Sequence, residues 1–216
     1  MAAGRIPATH DALFRTYGAS LPLSFLRGLA WNESRMDARA VSRAGARGIL
    51  QIMPVVLSEF NRANGTSYAR DDLHRPDVNV AMAAWLLRVI VRDYARHHPR
   101  TLATNWDDPR FVGLVVLGWN RGFSERAGVG YVVGRLEAEG WPPRSITTEA
   151  VVANAARFGA ARTLQGDLAW VRSVVAAHLG RHPGLPVAQA SAGGGAGLFV
   201  VALAVGTAVV YARRSS

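Results

Sequence analysis

Glu33-Ser34-Arg35-Met36-Asp37-Ala38-Arg39-Ala40-Val41-Ser42-Arg43-Ala44-Gly45-Ala46-Arg47-Gly48-Ile49-Leu50-Gln51-Ile52-Met53-Pro54 is the stretch on which the fold of this chain turns. Just upstream, Leu23, Leu26, Ala30 and Glu33 recur at helical spacing behind Pro22, a residue type that opens helices. An apolar helix therefore delivers a carboxylate at its C-terminal end. A loop of small residues with two glycines follows, and a second short helix around Pro54 is expected to present Gln51 and Met53. A glutamate held at an apolar helix end beside a cleft is desolvated, which raises its pKa and suits it to act as a general acid. Gly45 and Gly48 let the backbone turn tightly and approach a ligand. Gln51 carries both donor and acceptor groups, which match a sugar hydroxyl or acetamide.

Outward from this stretch the pattern stays helical from about Asp11 to His182. Pro54 precedes Val55, Leu57 and Phe60, and Asn64-Gly65-Thr66-Ser67 reads as a turn. The longest helix is predicted over Val78–His97, with Ala81, Ala84, Trp85, Val89 and Tyr94 inward and Pro99 as its stop. Asp107-Asp108-Pro109 caps a helix holding Phe111 to Leu117. Gly140-Trp141-Pro142-Pro143 is a break, and Thr147 to Phe158 and Asp167 to Leu179 are two further helices. No internal repeat and no long period-two alternation occurs. The fold class expected is all-α.

The chain has 216 residues, enough for one ordinary domain and an appendage. It lacks cysteine, which excludes disulfides, thiolate metal sites and a thiol nucleophile. The six histidines show no metal-ligand spacing, and His97-His98 sits at a helix end, where positive charge complements the helix dipole. No metal and no cofactor is expected. The formal net charge is +10, and all 25 basic residues are arginine. Such a protein is drawn to polyanions. Its arginines are scattered from Arg5 to Arg214 rather than clustered with aromatics, so nucleic acid is not an expected partner.

The composition changes after His182. Residues 183–196 are rich in Pro, Ala, Gly and Ser and read as a linker. No Asp, Glu, Lys or Arg lies between Arg181 and Arg213, and Leu198 to Tyr211 (LFVVALAVGTAVVY) is almost purely apolar. A spanning helix needs about 17–25 apolar residues, and this segment shows no polar face. Three regions follow: a helical domain over 1–182, the linker over 183–196, and a transmembrane helix over 197–212, with a lipid membrane as partner. The N-terminal residues lack the apolar run of a secretory signal.

The opening stretch resembles the soluble lytic transglycosylase family, of lysozyme-like fold. The family pattern is Glu-Ser, a spacer, then Ser-x-x-Gly-Ala-x-Gly-Leu-x-Gln-x-Met-Pro. This chain supplies Glu33-Ser34, Ser42, Gly45-Ala46, Gly48, Gln51 and Met53-Pro54 at that spacing, with Ile49 replacing leucine. Arg75-Pro76-Asp77-Val78-Asn79-Val80 and the following Ala83-Ala84-Trp85-Leu86 are similar to the family's Asp-Pro-x-x-Asn stretch and long helix. Gly118-Trp119-Asn120-Arg121-Gly122 is similar to its Ala-Tyr-Asn-Ala-Gly motif. Trp119 in place of tyrosine keeps an aromatic face for a sugar ring but lacks the phenol hydroxyl. Glu149 and Trp170 are the candidate occupants of the family's third signature.

The resemblance implies cleavage of the β-1,4 bond between N-acetylmuramic acid and N-acetylglucosamine in peptidoglycan glycan strands. It implies Glu33 as the catalytic residue, with Ser42, Gln51, Met53, Trp119, Asn120, Glu149 and Trp170 binding substrate. The expected product is a 1,6-anhydro sugar, because the muramic C6 hydroxyl replaces water as nucleophile. No carboxylate in the sequence pairs convincingly with Glu33, as an ordinary glycosidase would require. The alternatives are a muramidase resembling goose-type lysozyme and, from another class, a non-catalytic glycan-binding or structural virion membrane protein. Arg213-Arg214 favours a cytoplasmic C-terminus, which places the domain on the peptidoglycan side. A tail anchor without a leader suggests a component carried to the wall, such as a protein of a phage virion membrane or tail, or of an envelope-spanning machine.

Overall fold

Proline begins most of the long helices. The structure, a computed structural model, describes residues 6–160, 164 and 168–180. Helix α1 covers Asp11–Tyr17 and α2 covers Leu23–Ser34, with Pro22 as N-cap. Helices α3 (Pro54–Asn64), α4 (Pro76–His97) and α5 (Pro109–Arg121) each start on proline, where a missing N–H breaks no helical bond. Then come α6 (Val129–Ala138), α7 (Thr148–Ala155) and α8 (Leu168–His178). Asp108 caps α5 by accepting from the Arg110 N–H, and Thr147 caps α7 by accepting from the Ala150 N–H. Among the described residues the extended backbone pairs are the isolated bridges Val41–Arg47 and Arg47–Ile52. The described part is thus all-α, as expected.

Two sequence expectations need correction. The sequence analysis names no helix over Val129–Ala138, yet Val129, Val132, Val133 and Leu136 lie at helical spacing there and are fully buried. Gly128, Gly130 and Gly134 hid that stripe behind a loop-like composition. On α4 the inward set is different: Ala84 and Tyr94 are buried, whereas Ala81, Trp85 and Val89 are half-buried. Val78, Met82, Ala83, Leu86, Leu87 and Ile90 complete the buried face, so the helix is covered over a wide arc rather than along one stripe. The predicted linker (183–196) and apolar helix (197–212) lie outside the described residues, among which no helix is long and apolar enough to cross a membrane.

The described residues form two compact units, one of residues 6–86 with 172–180, the other of 87–160, 164 and 168–171. In the first, Phe14, Phe25, Leu26, Leu29, Ile49, Leu50, Ile52 and Leu73 are buried. Helix α2 crosses the end of α8 closely at Gly28, where a Cβ would stand 2.9 Å from Ala177 Cβ and 3.4 Å from the Val174 carbonyl oxygen. Ser24 Oγ lies 2.8 Å from His178 Nδ1, and Ser173 Oγ donates to Asn32 Oδ1 at 2.8 Å. In the second unit α5 packs with α6 and α7, and the buried Tyr94 hydroxyl donates to the Leu114 carbonyl at 3.2 Å.

Helix α1 is tied to α2 by Asp11 and Arg27, whose Nε donates to Oδ1 at 2.6 Å while Nη2 meets Oδ2. Those hydrogen bonds hold the Asp11 carboxyl below its ordinary value of 3.8, against the opposing effect of burial. A depressed folded-state pKa contributes stability above the unfolded value and loses it as pH falls through the folded one. Asp11→Asn should therefore be less stable than the parent at neutral pH, by up to about 1 kcal/mol for so accessible a pair. The difference should close as pH drops below 3.8. Urea denaturation of both proteins across pH 2–7 measures it.

Candidate active site

Glu33 sits half-buried in the last turn of α2. The chain leaves that helix abruptly, because Arg35 and Met36 both adopt positive φ, 58° and 69°. Two successive non-glycine residues in that region are strained. The exit is held by the Arg35 N–H, which donates to the Trp31 carbonyl at 3.1 Å, and by burial of Met36. Ser34 Oγ donates to the Ile49 carbonyl at 2.7 Å and so fastens the residue beside Glu33 to the loop that follows.

That loop is organised by one side chain from α4. Asn79 is fully buried, and its Oδ1 accepts from the Leu50 N–H at 2.8 Å. Its Nδ2 donates to the Arg47 carbonyl at 2.8 Å and to the Leu73 carbonyl at 2.9 Å. Gly48 lies directly against it with φ 78°; a Cβ there would collide with the Leu73 carbonyl and the Asn79 amide. Both the backbone sign and the lack of space require glycine. On the rim, Arg47 pairs with Asp71, and His74 Nδ1 lies 3.0 Å from the Ala38 carbonyl.

Ser42 and Gln51 serve the same loop. Ser42 Oγ accepts from the Ala46 N–H at 3.0 Å. Gln51 Nε2 donates to the Gly48 carbonyl at 2.9 Å and the Ala40 carbonyl at 3.3 Å, and the residue is 7% exposed. Contrary to expectation, neither Gln51 nor Met53 is on a helix: Gln51 has φ 46°, and Met53 is the extended N-cap of α3. A left-handed residue cannot continue into a helix, so the turn ends where Pro54 begins α3.

Glu33, Ser42, Gln51 and Met53 thus belong to the first unit, where α2 and one pinned loop carry them. Trp119, Asn120, Glu149 and Trp170 belong to the second. Trp119 and Asn120 lie near the end of α5; Asn120 is half-buried and Trp119 is 3% exposed. Glu149 is exposed in the first turn of α7, and Trp170 is half-buried near the start of α8.

The remaining described acids of the first unit have other partners. Asp11 holds Arg27, Glu59 holds Arg62, Asp71 holds Arg47 and Asp77 holds Arg75. Asp72 accepts from the Ala69 N–H, and the exposed Asp37 accepts from the Arg39 N–H at 2.8 Å. Asn79 was missed as a site residue, although a polar amide between Val78 and Val80 in an apolar helix is a legible sign of a buried hydrogen-bonding role. Also missed was a group in the second unit, Asp93, His97 and Glu125, whose first two members stand one helical turn apart.

A helical chain built around one helix-end carboxylate and a pinned, glycine-bearing loop is the class of protein these features define. Residues 14–124 match the family described as the transglycosylase SLT domain, and the chain belongs to that family. Among solved structures, the 70 kDa soluble lytic transglycosylase of Escherichia coli is similar at 18% identity and a TM-score of 0.52, over 81% of this chain and 24% of that one. An inactive mutant of the lytic transglycosylase Slt from Pseudomonas aeruginosa aligns at 18% identity and a TM-score of 0.45, over 74% of this chain and 26% of that one. The chain therefore spans about a quarter of the length of the solved proteins it matches, and the first likeness speaks for the fold.

Proposed function

We propose that this protein is a peptidoglycan lytic transglycosylase with Glu33 as its acid and base. The observation that carries the proposal is the position of Glu33 at the end of α2, tied through Ser34 to the loop that Asn79 pins. Protonated Glu33 gives its proton to the glycosidic oxygen as the bond from the muramic C1 breaks. The muramic C6 oxygen then bonds to C1, and its proton passes to the Glu33 carboxylate, which restores the enzyme. No water is consumed, and the product is a 1,6-anhydro sugar. A nucleophile already within the substrate has a high effective molarity, and it replaces the second carboxylate of other glycosidases. Engagement of the other described first-unit acids with arginines and backbone amides favours this single-acid chemistry.

Mass spectrometry of purified sacculi after digestion tests the product. Anhydro-muramic ends are expected; reducing ends would assign the chain to the muramidases instead. The apolar segment 197–212 and Arg213-Arg214 support a further part of the proposal, a membrane tether that confines cleavage to nearby wall. Such confinement suits local opening of the wall, as in phage entry or passage of an envelope-spanning machine.

A further inference from the structure

Asp93 and His97 lie one turn apart on α4, and Glu125 follows α5 in the same unit. Their ligand-bearing atoms all lie within 4.8 Å of one another. His97 Nδ1 is 3.3 Å from Asp93 Oδ1 and donates to the Asp93 carbonyl at 3.1 Å, so the nitrogen that faces the group carries a proton, which a bound ion would replace. Two donors each about 2.0–2.1 Å from one tetrahedral ion stand about 3.3 Å apart, the separation of His97 Nδ1 and Asp93 Oδ1, and Glu125 lies within 4.8 Å of both.

Two independent observations mark the group as more than surface charge. Asp93 Oδ2 is buried and meets no hydrogen-bond donor among the described residues; a buried carboxylate oxygen left so is costly unless a cation or a proton offsets it. Behind Glu125 stands His98, which is 3% exposed. Its Nε2 lies 3.0 Å from both Glu125 oxygens, and its Nδ1 lies 2.7 Å from Glu137 Oε2. A buried imidazole fixed between two carboxylates is the kind of outer support that orients a metal-ligating side chain.

We propose that Asp93, His97 and Glu125 bind a divalent ion of the zinc class. One imidazole nitrogen and two carboxylate oxygens suit zinc better than calcium, which takes six to eight oxygens, or magnesium, which demands a near-ideal oxygen octahedron. His97 lies at the surface, which leaves water to complete the coordination. The ion would link the end of α4 to the segment that leads into α6, so its effect is read in stability as well as binding.

The test is calorimetric titration of the full-length, chelator-stripped protein in detergent with zinc chloride, alongside thermal unfolding with and without zinc. One ion per chain is expected, with a raised Tm. His97→Ala removes an exposed ring, so the fold survives, and zinc binding should weaken roughly tenfold or more. Asp93→Asn should weaken it likewise, whereas Glu33→Gln should bind zinc as the parent does, which separates this site from the proposed glycan chemistry. Absence of saturable zinc binding, zinc binding unchanged in His97→Ala, or selective uptake of calcium over zinc would each overturn the proposal.

Discussion

Glu33→Gln should lose turnover on sacculi by about 100- to 10,000-fold, the range that a positioned acid–base group contributes. The amide matches the carboxylate in size but neither gives a proton to the leaving oxygen nor takes one from the attacking hydroxyl. The half-buried end of α2 keeps its shape, so the Tm should stay within a few degrees and glycan strands should still bind. Initial rates of sacculus solubilisation, set beside a pull-down on intact sacculi, separate lost chemistry from lost binding. Turnover near the parent rate in the folded mutant removes Glu33 from the mechanism.

The second large effect is expected at Asn79. Replacing it with alanine orphans the Leu50 N–H and the Leu73 carbonyl at once, while the Arg47 carbonyl keeps only the Ile52 N–H. Each orphaned buried group costs about 1–3 kcal/mol, and some water entry into the new space offsets part of the sum. A loss of about 3–5 kcal/mol follows, which for a domain of this size lowers the Tm by roughly 10 °C or more. Asn79→Asp should be no milder: it keeps the acceptor for Leu50 but turns two donor contacts into buried oxygen–oxygen encounters. Activity should fall further than folded fraction, since the pin also sets the loop bearing Ser42 and Gln51. Thermal unfolding and activity at a temperature where the mutant is folded check both parts.

Much of this site is legible in the sequence because its parts are local. Pro22 and Pro54 bound the segment, the apolar stripe carries Glu33 to a helix end, and Gly45 and Gly48 have φ of 83° and 78°, as a tight loop demands. What escaped depends on partners far along the chain. That the Ser42 hydroxyl accepts from a backbone N–H and the Gln51 amide donates to backbone carbonyls follows from how the loop closes on itself, which spacing does not encode. Met53 falls outside a helix because Gln51 turns left-handed just before it. Packing, not residue type, encloses Trp119. Asp93 and His97 form a visible pair, but Glu125 reaches them through the turn between α5 and α6, and α6 itself was masked by its glycines.

The crossing of α2 and α8 bears on how the protein is made. Its two polar ties join residues 154 and 141 positions apart. Pairings so distant in sequence close late, after the intervening chain has been synthesised and its loop entropy lost. On the ribosome, the helix that carries Glu33 waits without this flank until α8 has emerged. Truncated products that end before α8 would therefore carry every residue of the Glu33 loop and still lack part of the surface against which its helix rests.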